Sequence, residues 1–125
     1  MTILLVLKAY LTLIHFDWYL LRGDFKTLYD RVRSSRARED RFSPDTVERV
    51  CLAVDVACIW YWKEALCLQR SATTAFLLKR DGVPAEMVIG IQQMPFKAHA
   101  WVEVRGHVVN DKSYVREMYQ ALDRC

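Results

Sequence analysis

The chain has 125 residues, of which 53% are apolar and 26% charged, with a formal net charge of +3. That length suits one domain with one modest core, and the low Gly and Pro content excludes a disordered or fibrous chain. The charge is too small to identify a partner. From the length, a single domain over residues 1–125 is expected, with an N-terminal helix and Arg-rich segment (1–42) ahead of the core (43–125).

Residues 2–21 set Leu4, Leu7, Leu11, Ile14, Trp18 and Leu21 at intervals of three and four. This predicts a helix with one apolar stripe, ending near Gly23. Lys8 and Asp17 bound its longest uncharged run, far short of the roughly 18–20 residues a bilayer requires. With no basic n-region and no small-x-small cleavage site, neither a membrane span nor a secretory signal is expected, and the protein reads as cytoplasmic.

Next, "RVRSSRAREDR" (31–41) crowds five arginines around Glu39 and Asp40. It reads as a solvated linker or helix face, with an acidic peptide, a partner protein or nucleic acid as the alternative. Ser43 as N-cap, Pro44 at the first helical position and Asp45 in the first turn open a second helix. Its apolar face carries Val47, Val50, Cys51, Val54, Cys58 and Tyr61. A third helix, through Leu68, Ala72, Ala75, Phe76 and Leu78, stops where Lys79, Arg80, Gly82 and Pro84 give a C-terminus. Its start is ambiguous, because the preceding apolar phase runs on through Ala65 and Leu68. Cys67 therefore lies either mid-helix, where burial raises a thiol's pKa, or at a fresh N-terminus, which lowers it.

Cys51, Cys58, Cys67 and Cys125 read as free thiols, since no secretory signal supports disulfides. Their spacing to His99 and His107 matches no zinc template, so neither a metal nor a cofactor is expected.

From residue 85 the period changes to two. Strands are expected over 85–91, 97–104 and 107–111, an antiparallel meander followed by a short tail of mixed helical character. Helices first and meander second argue α+β. Two registers compete for the last hairpin, "AHAWVEVRGHVVND" (98–111). A two-residue loop of Arg105 and Gly106 pairs Val104 with His107 and turns Asp111 away from His99. A three-residue loop of Val104, Arg105 and Gly106 pairs Glu103 with His107, as a surface contact of little consequence, and sets His99 opposite Asp111. The three-residue register is favoured, since Arg is a poor first residue for a two-residue turn. An imidazole beside a carboxylate makes a general base, and Cys67 is the best candidate nucleophile for it. Ser71, Ser113, Thr73 and Thr74 are weaker candidates.

"CLQRSATTAFLLKRDGVPAEMVIGI" followed by "PFKAHAWVEVRGHVVND" resembles the leader peptidases of lasso-peptide biosynthesis, the B-protein protease component, within the transglutaminase-like, papain-like cysteine proteases. The likeness runs from about residue 47 to 111. It implies Cys67 as nucleophile at the N-terminus of a central helix packed on the sheet, His99 as general base and acid, and Asp111 as the orienting residue. It further implies cleavage of a ribosomal precursor peptide between leader and core. The resemblance also implies a separate small winged-helix recognition protein that presents the leader, and an ATP-dependent lasso cyclase that receives the core. An acyltransferase using the same triad, or a catalytically silent scaffold of that fold, is the alternative.

Overall fold

A computed structural model describes residues 3–35, 42–62, 66–93 and 95–125. Its elements are α1 (Ile3–Leu21), α2 (Phe25–Ser34), α3 (Pro44–Trp60), α4 (Cys67–Arg80), β1 (Ala85–Gln93), β2 (Phe96–Val104), β3 (His107–Val108), α5 (Val115–Met118) and β4 (Gln120–Arg124). The strands form one antiparallel sheet in the order β3-β2-β1-β4. The order of elements is the expected α+β.

Local signals account for the helix ends. Ser43 is extended and Pro44 opens α3, although the Ser43 hydroxyl makes no capping bond. Leu66 is extended at ψ 165°, so α4 starts afresh at Cys67, which resolves the ambiguity in favour of an N-terminus. The preceding residues 63–65 lie outside the described residues. At the far end Gly82 takes the left-handed conformation, φ 84°, that stops the helix. Lys79 lies in the last turn as expected; it is buried there and donates to the carbonyls of Val32 (2.8 Å) and Cys125 (3.1 Å). It thereby ties α2 and the end of the sheet to α4.

Helix α2 was not expected. Asp24 caps it, accepting from the Thr27 N–H at 3.1 Å and from the Thr27 hydroxyl, and it absorbs the first four residues of the Arg-rich segment, 31–34. Ser35 caps the helix, and residues 36–41 of that segment lie outside the described residues.

Helix α1 forms where expected, with the predicted apolar stripe turned outward. Leu4, Leu7, Leu11, Ile14, Trp18 and Leu21 are exposed, while Ala9, Leu13, Phe16 and Asp17 are buried. The helix is apolar on both sides, and the side that packs has Ala9 for close approach and Asp17 for hydrogen bonding. Asp17 accepts from the Tyr61 hydroxyl (3.2 Å) and the Gln69 amide (3.1 Å), joining α1 to the end of α3 and the start of α4. By length and composition α1 is long and apolar enough to cross a membrane, contrary to the count between its charges, with a mean hydropathy of 1.4 across an 18-residue window.

The sheet has two faces with two cores. Ala85, Met87, Val102 and Val104 pack with the helices. Val88, Trp101 and Val115 form a smaller cluster on the opposite face, with Val108 and Tyr119 against it. The tail of mixed helical character is part helix, α5, and part strand: β4, not expected, pairs antiparallel with β1 beside a bulge at Ile89/Gly90. Gly90 is required there, since a Cβ would come within 2.7 Å of the Trp101 ring and 3.0 Å of the Tyr119 Cβ.

Candidate active site

The β2–β3 turn contradicts the favoured register. Val104 pairs with His107 and Glu103 with Val108, so the loop is the two residues Arg105 and Gly106. Both have positive φ, 50° and 80°, as a type I′ turn needs. A left-handed Arg costs roughly 1–2 kcal/mol, and the guanidinium of Arg105 lies over the Phe42 ring, 4.3 Å from its centroid. A cation–π contact of about 0.5–1 kcal/mol offsets much of that cost. Glu103 consequently does not meet His107. It is buried and takes hydrogen bonds from the Trp101 indole and the Arg124 guanidinium, both at 2.9 Å.

Continued regularly, this register would turn Asp111 away from His99. The ladder stops first. The Val109 N–H still donates to the Val102 carbonyl at 3.0 Å, but the Val102 N–H donates to the side-chain Oδ1 of Asn110 at 2.7 Å. An amide side chain has replaced the backbone acceptor, so strand β3 ends at Val108 and the chain peels off. Asn110 is held from behind, its Nδ2 donating to Ser71 Oγ at 3.0 Å, while Ser71 Oγ donates to the Ala100 carbonyl at 3.0 Å.

Asp111, released from the ladder, meets His99 after all: Nε2 of the imidazole and Oδ2 of the carboxylate are 2.5 Å apart, with both side chains about three-quarters covered. This leaves Nδ1 as the nitrogen for proton transfer. The imidazole also lies against aromatic rings, 5.2 Å from Tyr119 and 6.2 Å from Trp101 between centroids. Burial pushes the Asp111 carboxyl upward. The His99 hydrogen bond, the Lys112 N–H and the charges of His99 and Arg70 outweigh it, so the group sits below the usual carboxylate range.

Cys67 is half-buried as the first residue of α4. Among the described residues it makes no hydrogen bond to His99 or Asp111, and alternation along β2 sends His99 off the face opposite α4. Ser71, one turn after Cys67 on the same helical face, is bonded to the residue after His99 and to the one before Asp111. Arg70, whose charge bears on Asp111, also pairs with Asp55 of α3. At the start of α4 the first N–H groups have no intrahelical acceptor, and Leu66 supplies no side-chain cap. These amides can accept developing negative charge on an oxygen beside Cys67.

Ser71, Arg70 and Asn110 were not assigned these roles from the sequence. The signal available was Asn110 itself, a poor strand former placed where a third strand was expected to continue.

The other cysteines behave as packing residues. Burial, with Asp55 nearby, pushes the Cys51 thiol up to about 11, burial raises Cys58, and burial pushes Cys125 up to about 11. Those three remain protonated at neutral pH, so brief alkylation of the folded chain should label Cys67 first. Peptide mass mapping checks this, and equal labelling of all four would contradict it.

The transglutaminase-like superfamily profile matches residues 10–124. A 51-residue stretch is 39% identical to the microcin J25-processing protein McjB of Escherichia coli, covering 41% of this chain and 24% of that protein. No solved structure matches. A match over nearly the whole chain, on an α+β fold with a cysteine opening the helix behind a histidine-bearing strand, places this chain in the transglutaminase-like superfamily.

Proposed function

We propose that this chain is a cysteine peptidase that removes the leader from a ribosomally made lasso-peptide precursor. The observation that carries the reading is the His99–Asp111 pair at 2.5 Å, whose neighbour Asn110 is hydrogen-bonded to Ser71 of the helix that Cys67 opens. The partial likeness to a microcin J25-processing protein supports the substrate class.

In this reading the Cys67 thiol gives its proton to His99 Nδ1 and the thiolate attacks the carbonyl at the leader–core junction. The oxyanion is stabilised by the free amides at the start of α4. His99 then protonates the departing amine of the core, leaving the leader as a thioester on Cys67. Water, deprotonated by His99, hydrolyses the thioester and restores the thiol. Asp111 holds the ring and stabilises its charged form throughout. The precursor is presented by a separate winged-helix leader-recognition protein, the freed core passes to an ATP-dependent cyclase, and the setting is cytoplasmic.

An acyltransferase would form the same thioester and differ only in its acceptor. Incubating chain, precursor and recognition protein in oxygen-labelled water should yield leader with label in its new C-terminal carboxylate. Leader joined to an amine, without label, would establish transfer, and intact precursor would leave neither reading standing.

A further inference from the structure

We infer that the outward face of α1 docks an amphipathic helix of a partner protein whose flank is acidic. Seven large apolar side chains of α1 are exposed; Ile3 stands at its first residue, and the other six, Leu4, Leu7, Leu11, Ile14, Trp18 and Leu21, are 42–67% exposed. Their spacing alternates three and four throughout, which is the a/d pattern of a heptad seam. A seam of two positions in seven is the narrow stripe that a second helix covers, whereas a helix lying in a lipid surface presents a broader apolar arc.

The charges beside the seam select the partner. On one side Tyr10 and Asp17 turn into the body of the protein: Tyr10 lies 5.3 Å from Tyr61 between ring centroids, and Asp17 is 3% exposed with Tyr61 and Gln69 donating to it. On the other side, at successive heptad positions, stand Lys8, His15 and Arg22, all exposed. The Arg22 guanidinium folds over the Trp18 ring at 5.6 Å, extending the seam with a cation at its border.

A second copy of this chain fits poorly. Packed antiparallel, it would set Lys8 near Arg22 and His15 near His15, like against like. Packed parallel, it would offer Asp17 to Arg22, but Asp17 is buried within its own protomer. A helix of about 28 Å, with Leu-type residues at its own a and d positions and Glu or Asp on its flank, satisfies both the seam and the charges.

Two synthetic three-heptad peptides test this, each with Leu at a and d, one flanked by Glu and the other by Lys. The full chain should bind the acidic peptide at least about tenfold more tightly than the basic one, and added salt should narrow the gap. Lys8→Glu combined with Arg22→Glu should reverse the preference. Leu11→Glu, on the exposed centre of the seam, should abolish binding while the circular dichroism spectrum is retained, with Leu7→Gln as a second variant should the first unfold. Equal binding of both peptides would overturn the inference, as would acidic-peptide binding that survives both seam substitutions. Self-association, or binding to anionic phospholipid vesicles, that is lost in Leu11→Glu while the acidic peptide fails to bind would assign the face to a second copy or to lipid instead.

Discussion

Cys67→Ala is expected to abolish leader release when the chain is incubated with its precursor and the recognition protein. Without the sulfur no acyl-enzyme forms, and losing a catalytic nucleophile lowers turnover by on the order of 10⁴-fold or more. The fold should be spared. Cys67 is half-buried at the first position of α4, where alanine is well tolerated and no capping bond is lost. Cys67→Ser should be nearly as inactive, because a hydroxyl is far harder to deprotonate than a thiol. His99→Ala should match Cys67→Ala, while Asp111→Asn should retain some activity, since the base survives with its orientation disturbed. Product masses over a time course measure all four, and undiminished release by Cys67→Ala would sink the mechanism.

What could be read from the sequence divides according to how local its cause is. The start of α3 and the end of α4 were legible because Pro44 and Gly82 act within one turn of the boundary, whereas the break between the two helices carries no such local signal. Strands β1 and β2 were legible because alternation is written into adjacent residues. The packed face of α1 was not: the helix carries two apolar stripes, and the choice between them rests on Tyr61 and Gln69, which lie far along the chain. Strand β4 was missed because "QALDR" is fully exposed and shows no alternation. The turn was misjudged for a similar reason. Local preference disfavours a left-handed Arg105, and its compensation comes from Phe42, distant in sequence. The His99–Asp111 pair was therefore anticipated from a register that does not form, and it exists because Asn110 ends the strand early.

The same residue gives the second large effect. Asn110→Ala should lower turnover by on the order of 10²-fold, acting as a positioning residue through Asp111. The substitution removes the acceptor for the Val102 N–H and the donor to Ser71. An N–H left unpaired in a partly buried setting costs about 1–3 kcal/mol. The regular ladder can then continue past Val109, and its register carries Asp111 to the face away from His99. Two readouts separate this from general loosening. Because Asp111 is held below the usual carboxylate range, it stays ionised across the neutral region, so its contribution there is to stabilise the imidazolium. Removing that anion should move the alkaline limb of kcat/KM to lower pH, since the thiolate–imidazolium pair is then lost earlier as pH rises. Combined with Asp111→Asn, the Asn110→Ala substitution should add little, because both remove one interaction. Asn110→Asp, which keeps the acceptor, should recover part of the rate. An alkaline limb that does not move, together with fully additive losses, would show that Asn110 supports the fold and does not aim Asp111.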